Sequence, residues 1–489
     1  MIVHAYEEYG ESFVARLNGH FAFALWDMRR RRLVLARDRV GVRPLFHTRA
    51  GGLLLFASEV KAIFAVVPQM AAVDERGLKQ VFTFWGTVGQ RTVFKDIRSL
   101  PPGHLLVLED GVERLERYWD WTFAAGGGRS DLTMDEAAEA LREVLTDAVR
   151  LQLRADVPVG AYLSGGLDSS GIAALAAAAG GELRRTFSIT FDDPEFDESK
   201  FQRRMATHLG VQHTAVRCSQ RDIGNAFPDV IWHTETPVLR TAPAPLMLLS
   251  EHARTSGCKV VLTGEGADEL FGGYDLFKEG KIRRFWARQP QSRCRPLLLS
   301  RLYPYLARSP VANRHFARLF FGQHLEELGN PFYAHLTRWS TTRGIFRLLS
   351  PEMQASLAAV KPEDELTRQL PSEFDTWSEL SRDQYIEVKT LLEGYLLSSQ
   401  GDRPSMAHSV EGRVPYLDHR VIEFLNALSP RYKLRALHEK VLLRGALGRI
   451  LPEAILKRVK QPYRAPDSRS FFQDDRPLPY VEELLSESN

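Results

Sequence analysis

The stretch SGGLDSS at residues 164–170 decides the fold, because it separates an apolar run at 157–163 from an alanine-rich run at 171–180. The first run is typical of a buried strand and the second of a helix. A glycine-rich turn between a strand and a helix directs backbone N–H groups and the positive helix end toward one point. The stretch therefore predicts an anion site, with phosphate as its commonest ligand. Asp168 would be repelled by phosphate itself and is the residue type that holds the Mg²⁺ of a nucleotide.

Strand-like and helix-like segments alternate after this stretch. The alternation predicts a doubly wound parallel sheet, and hence an α/β fold for this part of the chain. The predicted elements are strands at 186–191, 213–216 and 259–263 and helices at 198–209 and 243–256.

The first part of the chain has a different pattern. Apolar runs separated by turns are typical of antiparallel hairpins. Glycines near residue 126 then indicate a linker, and the spacing of Thr133 and Glu136 is that of a capping box, which predicts a helix start. The four apolar runs are 21–26, 33–36, 45–47 and 53–57.

The composition argues against several classes of function. The 489 residues include 64 Lys and Arg against 61 Asp and Glu, a formal charge of +3, so nothing favours nucleic acid or an anionic membrane as a partner. Cys218, Cys258 and Cys294 are odd in number and widely spaced, which argues against a disulfide framework and suits a reducing compartment. No signal peptide or membrane span is visible, so we expect a cytoplasmic protein.

A second acidic loop, GEGADE at 264–269, directly follows the predicted strand at 259–263. Ligands of doubly wound sheets bind beyond the carboxyl ends of the strands. Asp168 and Asp268 are therefore predicted to face one Mg²⁺ from opposite sides of a nucleotide. Taken alone, the second loop also fits a helix N-terminus, where the helix dipole favours acids.

Two further stretches are ambiguous by themselves. Lys440 and Arg444 are four residues apart on a predicted helix and point the same way. Such a pair can meet phosphate or a developing oxyanion, although a solvent-exposed face is the more ordinary interpretation. The polar stretch at 402–411, which leads into 413–418, suits either a pocket lining or a solvated loop, and composition alone favours the loop.

Together these stretches resemble the glutamine-dependent asparagine synthetases. The resemblance rests on SGGLDSS, on GEGADELFGGY at 264–274, on SVEGRVPYLD at 409–418 and on EKVLLR at 439–444, in that order and spacing. It covers most of residues 12–120 and 140–465. It implies that ATP and Mg²⁺ are used to convert L-aspartate into an aspartyl-adenylate with release of pyrophosphate. Ammonia then gives asparagine and AMP.

The resemblance also implies roles for individual residues. Glu265 matches the residue that supports the acyl-adenylate and the ammonia attack, and Lys440 matches the cation that steadies the charged transition state. Asp168 and Asp268 match the Mg²⁺ positions. The remaining matches are Ser164, Gly165, Gly166, Asp168 and Ser169 for pyrophosphate, and Leu163, Ile189, Thr263 and Gly264 for adenosine.

The domain organisation that the resemblance implies has three parts. Residues 1–121 match the C-terminal part of a type-2 glutamine amidotransferase domain, a partial antiparallel β-sandwich, residues 122–131 are a linker, and residues 132–489 are an ATP-binding synthetase domain. Family members begin with a catalytic cysteine, but position 2 is Ile2 and the first part contains no cysteine. The chain is either a short form that uses free ammonia or one whose start lies upstream, which we favour. We expect activity with ammonium and none with glutamine.

The incomplete sandwich affects the packing of the first part, and the chain also departs from the family pattern in two places. Strand faces carrying Phe21, Phe23 and Leu25 are expected to lack their partner sheet. The departure at 235–241 leaves the acceptor acid undecided, and the tail after Gln461 also differs from the usual family pattern.

Two alternatives to asparagine synthesis follow. One is another ATP-dependent amide-forming enzyme, similar to β-lactam synthetase, and the other is a non-catalytic nucleotide-binding protein. Intact Asp168, Glu265, Asp268 and Lys440 argue against the latter. The expected partners are aspartate, ATP, and ammonia or glutamine, but neither nucleic acid nor a membrane. Whether the chain forms a homodimer stays open, and residues 280–390 suggest no chemistry.

Overall fold

The computed structural model describes residues 1–180, 183–305 and 309–486. Its strands, numbered in chain order, are β1 Ala22–Asp27, β2 Arg32–Arg37, β3 Phe46–Ala50, β4 Leu53–Ala57, β5 Arg98–Ser99, β6 His104–Glu109, β7 Val112–Arg117, β8 Val159–Tyr162, β9 Leu183–Phe191, β10 Gln212–Cys218, β11 Val260–Leu262, β12 Glu411–Arg413, β13 Phe472–Gln473 and β14 Arg476–Pro477.

Helices make up most of the remaining regular structure, including one π-helical stretch at Val388–Asp402. The α-helices span Ile2–Tyr9, Val60–Phe64, Glu75–Phe84, Met134–Leu153, Leu167–Ala178, Ser199–Leu209, Gln220–Thr234, Pro243–Thr255, Ala267–Phe271, Asp275–Ala287, Arg314–Phe321, Leu336–Thr342, Pro351–Leu357, Pro362–Arg368, Glu379–Glu387, Arg403–Met406, His419–Ala427, Val441–Leu447, Glu453–Leu456 and Pro479–Leu484. Among the described residues, no helix is both long enough and apolar enough to cross a membrane.

A five-stranded parallel sheet of order β10-β9-β8-β11-β12 forms the centre of the C-terminal part. It is covered on both faces, because successive residues of β11 point into different cores. Val260 and Leu262 pack in one core with Leu145, whereas Val261 packs in the other with Met247. The predicted doubly wound α/β fold is confirmed.

The helix Met134–Leu153, which packs on this sheet, begins at the predicted capping box. The backbone N–H of Glu136 donates to Oγ1 of Thr133 over 3.2 Å, and Oε2 of Glu136 accepts from the backbone N–H of Thr133 over 2.8 Å. Two N–H groups that the helix itself leaves unpaired are satisfied in this way.

The N-terminal part contains two antiparallel sheets, β1-β2-β6-β7 and β4-β3-β5, so the predicted hairpins are confirmed. The strand faces that were expected to lack cover are half-buried. Phe21, Phe23 and Leu25 pack in a core that also contains the fully buried Phe13 from the segment before β1. The rings of Phe13 and Phe23 lie 5.8 Å apart. The N-terminal segment therefore covers this face of the sheet.

The glycine-rich segment after Trp121 is attached to the C-terminal part. The backbone N–H of Ala124 donates to the carbonyl of Asn426 over 3.0 Å, and that of Arg129 donates to Ala427 over 2.8 Å. The predicted linker is thus hydrogen-bonded along its length to the end of the helix His419–Ala427. Its role as a domain boundary stays a prediction.

Candidate active site

The SGGLDSS loop joins the end of β8 to the start of the helix Leu167–Ala178, as its sequence predicts. The hydroxyls of Ser164 and Ser169 lie 2.9 Å apart, and the backbone N–H of Ser164 donates to Oγ of Ser169 over 3.1 Å. The N–H of Gly166 in turn donates to Oγ of Ser164 over 3.2 Å. These bonds hold the loop in one shape before any ligand binds.

Both the SGGLDSS loop and the GEGADE loop contain a glycine at which a larger side chain would clash with its neighbours. Gly165 has a φ of +73°, and a Cβ there would lie 2.7 Å from Cβ of Phe201. A Cβ on Gly264 would lie 2.8 Å from the backbone nitrogen of Ser169. The GEGADE loop therefore packs directly against the SGGLDSS loop, where the sheet brings the ends of β8 and β11 side by side.

Lys440 joins the two loops. Its Nζ lies 2.6 Å from both carboxylate oxygens of Asp168 and 2.6 Å from Oδ1 of Asp268. Its side chain is 1% exposed, so the interpretation of this position as a solvent-exposed face was wrong. Arg444 donates instead to Oε1 of Glu439 over 2.9 Å.

Lys460 is a second cation at this site, and sequence reasoning missed it. Its Nζ is hydrogen-bonded to Oδ2 of Asp268 and lies 3.5 Å from Oδ2 of Asp168. Burial alone would raise the pKa of Asp268, but Lys440 and Lys460 outweigh burial and lower that pKa. Lys460 stands just before the segment after Gln461 that departs from the family pattern, and no other feature of the sequence marks it.

Glu265 and Glu269 flank Asp268 and titrate unusually. Burial, reinforced by the negative charge of Asp268, raises the pKa of Glu265 to about 7. The same causes raise the pKa of Glu269 to about 8, and Tyr274 donates a hydrogen bond to its Oε1 over 2.9 Å. Near neutral pH, Glu265 can therefore either hold or release a proton.

A cavity of about 690 Å³ opens over these groups. All the residues predicted for the site line it, except Gly165, which is buried against Phe201. The lining residues predicted from sequence are Leu163, Ser164, Gly166, Asp168, Ser169, Ile189, Thr263, Gly264, Glu265, Asp268 and Lys440.

The cavity lining also includes residues that sequence reasoning did not propose. Trp85, from the N-terminal part, lies with its ring 5.6 Å from that of Tyr395 and perpendicular to it. The guanidinium of Arg240 lies 5.0 Å from the centre of the Trp85 ring. Tyr463 also lines the cavity. The lining thus combines charged and aromatic side chains.

The polar stretch at 402–411 is not a solvated loop, contrary to the interpretation that composition favoured. Asp402 and Arg403 are 7% and 4% exposed. Asp402 pairs with Arg43 of the N-terminal part, and Arg403 pairs with Glu235 over 3.2 Å. Glu235 also accepts from the backbone N–H of Lys61 over 2.7 Å. This stretch, with Glu235, therefore ties the two parts of the chain together.

The carboxylates at this site suit a Mg²⁺ ion that is also bound by the phosphates of a nucleotide. Among the described residues, no group of three or more His, Cys, Asp or Glu is placed to hold a metal ion. Mg²⁺ is commonly held by one or two carboxylates together with substrate phosphates and water. The carboxylates of Asp168 and Asp268 match that pattern, because both contact the same lysine and both face the cavity.

Comparison with known proteins gives two family matches. Residues 140–489 match the family described as Asparagine synthase, and residues 1–119 match the one described as Glutamine amidotransferase domain. The chain is 30% identical to Amidase chyE of Penicillium rubens, over all of this chain and 75% of that protein. It is 30% identical to the glutamine-hydrolyzing asparagine synthetase 3 of Bacillus subtilis, over 95% of this chain and 70% of that protein. A putative asparagine synthetase of Mycobacterium tuberculosis is 32% identical over the same shares.

Proposed function

The chain belongs to the asparagine synthase family, and we propose that it converts L-aspartate, ammonia and ATP into asparagine, AMP and pyrophosphate. The observation that supports this proposal most directly is that Lys440 contacts both Asp168 and Asp268, beside a loop of the phosphate-binding type. Such a site is suited to nucleotide chemistry on an anionic substrate, because fixed cations lie where negative charge must be stabilised.

The proposal divides the chain as its sequence suggests. Residues 1–121 form the amidotransferase-type part, residues 122–131 the linker, and residues 132–489 the synthetase domain. Support comes from the two family matches, whose ranges end and begin on either side of the linker.

In the first step, a carboxylate oxygen of aspartate forms a bond to the α-phosphorus of ATP, and pyrophosphate leaves with the electrons of the broken P–O bond. The SGGLDSS loop would hold the leaving pyrophosphate, and Ile189 and Thr263 would contact the adenosine. Asp168 and Asp268 would hold Mg²⁺, which when bound neutralises phosphate charge. Lys440 keeps these two carboxylates in place.

In the second step, ammonia forms a bond to the activated carbonyl carbon, and AMP leaves with the electrons of the broken C–O bond. The attacking nitrogen must lose a proton. Glu265, which lines the cavity, would take it, and its pKa of about 7 suits a general base near neutral pH. Lys460, which lies against Asp268, would stabilise the charge that develops on the oxygen.

The decisive measurement is pyrophosphate release and asparagine formation with ATP, aspartate and ammonium. Asp268→Asn serves as the inactive comparison, and glutamine replaces ammonium in a second reaction. We expect both products with ammonium from the wild-type protein. Binding of ATP without pyrophosphate release under any of these conditions would contradict the proposal and favour a non-catalytic protein.

A second candidate is amidation of a different carboxylic acid by the same chemistry. Two observations favour it: Arg240, in the segment that departs from the family pattern, lies in the cavity on Trp85, and one relative at 30% identity is named an amidase. AMP formation with ammonium and an acid other than aspartate would distinguish this candidate.

A further inference from the structure

Three tyrosine hydroxyls, those of Tyr162, Tyr395 and Tyr463, are buried at the cavity without a hydrogen-bond partner in the part of the chain that the structure describes. Of these residues, Tyr395, which is 3% exposed, and the half-buried Tyr463 interact electrostatically with Glu265. Both residues line the cavity together with Glu265. Buried polar groups in native proteins nearly always have partners, because leaving them unpaired costs free energy. A ligand in this cavity is therefore the expected partner.

The position of Tyr395 is held by its surroundings. It lies in the π-helical stretch Val388–Asp402, a conformation that is rare and found frequently at functional sites. Its ring meets Trp85 edge to face at 5.6 Å, and Trp85 itself donates from Nε1 to Oγ1 of Thr342 over 3.2 Å. The Tyr395 ring is therefore braced against the N-terminal part.

A cation lies on the same side of the cavity. Arg240 lies on the face of Trp85 and is 3.8 Å from Oδ2 of Asp467. That acid is already engaged, because its Oδ1 accepts hydrogen bonds from the backbone N–H and the hydroxyl of Thr241 over 3.1 and 2.9 Å. The weak, half-exposed contact leaves Arg240 able to meet another anion.

We propose that Tyr395 and Tyr463 select the acceptor acid by donating hydrogen bonds to a second carboxylate on it, with Arg240 supplying positive charge. The inference rests on the proposed function, since it requires the reacting carboxylate to lie against Lys460 and Glu265. Two hydroxyl donors and a guanidinium are complementary to a carboxylate. The substrate class is thus a short dicarboxylic acid, of which aspartate is one.

Three acceptor acids separate the contribution of the second carboxylate from that of the amine. L-aspartate has both carboxylates and an amine, succinate keeps both carboxylates without the amine, and β-alanine keeps the amine but only one carboxylate. Pyrophosphate release is measured for each acid with ATP and ammonium, for the wild type, Tyr395→Phe and Tyr463→Phe. We expect the wild type to use aspartate and succinate in preference to β-alanine.

Each tyrosine variant should raise KM for aspartate and succinate about 10- to 100-fold, because it removes a hydrogen bond to a charged group. KM for ATP and the rate with β-alanine should stay within about twofold of wild type, since neither involves the second carboxylate. Tyr333→Phe is the matched control. Its hydroxyl is also buried and has no hydrogen-bond partner among the residues that the structure describes, but Tyr333 lies outside the cavity lining, with its ring 4.5 Å from Arg283.

Several outcomes would overturn the inference. An unchanged preference for dicarboxylates in both variants would show that the hydroxyls serve only water, and equal losses with all three acids would show a structural role. In either case pyrophosphate release by the wild type would leave the proposed function standing. Release with none of the three acids, despite ATP binding, would overturn both. If Tyr395→Phe fails to fold, Tyr463→Phe, at the more accessible position, decides the question.

Discussion

Nζ of Lys440 lies 2.6 Å from both carboxylate oxygens of Asp168, although 272 residues separate them in the chain. The same nitrogen contacts Asp268, so one buried cation holds the acids of two loops at the ends of neighbouring strands. Without this cation the two carboxylates would share only Lys460 as a positive partner, which is unfavourable in a buried site. Lys440 therefore supports the geometry of the site as well as its charge.

Lys440→Ala and Lys460→Ala are both expected to lower product formation by a factor of about 10²–10³ while ATP still binds. They should differ in stability, because the Lys440 side chain is 1% exposed and that of Lys460 is 19% exposed. Breaking the buried pair in Lys440→Ala should lower the free energy of unfolding by about 3 kcal/mol, and Lys460→Ala should lower it by less. Single-turnover AMP formation and denaturant unfolding measure the two effects.

Lys457→Ala is the control for these lysine variants. Its side chain is 77% exposed, and within the described residues it pairs only with Glu453 one turn away, so the change should be nearly neutral. Near-normal turnover in Lys440→Ala would remove that residue from the mechanism. Equal stability of Lys440→Ala and Lys460→Ala would contradict the structural role given to Lys440.

Gly165→Ala should weaken ATP binding by at least about tenfold, since a Cβ there meets backbone and Cβ atoms of the helix Ser199–Leu209 and displaces the loop. Gly210→Ala is a matched control. Its φ of +64° resembles the +73° of Gly165, but no atom of residues 1–180, 183–305 or 309–486 lies within 4 Å of the added carbon. Alanine is strained at both positions because φ is positive there. A difference in ATP affinity between the two variants, measured by calorimetric titration, therefore reports the clash alone. Equal ATP affinities in the two variants would refute the argument.

The ATP-type loop and the sheet were predictable because their signals are local. SGGLDSS needs only its own glycines and the apolar runs beside it, and the capping box at Thr133 is contained in four residues. Each loop follows a parallel strand, so the topology brings Asp168 and Asp268 together without further information. Lys440 needed the family resemblance, since its spacing from Arg444 suggested a solvent face.

The parts of the site that escaped prediction depend on contacts between distant segments. Nothing local marks Lys460 as a partner of Asp268, 192 residues away. The Asp402–Arg43 pair joins residues 359 apart, so a polar stretch that suits solvent by composition is in fact an interface. Trp85 and Tyr395 likewise meet only in the folded chain. Composition and periodicity carry no information about such pairings.

Glu265→Gln should abolish the acid limb of the pH–rate profile. Burial and the charge of Asp268 raise the pKa of Glu265 to about 7, and a general base must be unprotonated. Wild-type turnover should therefore fall about tenfold per pH unit below about pH 7 and level off above it. In the variant the limb disappears, and the plateau rate drops by a factor of about 10²–10⁴. Profiles are recorded at constant free ammonia, and a variant that keeps the limb would exclude Glu265 as the base.

Lys433→Met should stabilise the protein at neutral pH and lose that advantage in alkali. Burial lowers the pKa of Lys433 from 10.5 to about 7, although its Nζ lies 3.2 Å from oxygens of Gln384 and Asn426. Between these two values the unfolded chain binds more protons than the folded one, so wild-type stability rises with pH across this window. Methionine removes the cost of burying the amine but leaves the two oxygens without their donor.

The net gain expected for Lys433→Met is about 1–3 kcal/mol near or below pH 7, and it should shrink as the pH approaches 10. Urea unfolding of both proteins at about pH 6.5 and about pH 9.5 measures the difference directly. Lys457→Met, at an exposed position, should show no such pH dependence. A Lys433→Met protein that is less stable than wild type by the same amount at both pH values would mean that the hydrogen bonds of the amine outweigh the cost of its burial.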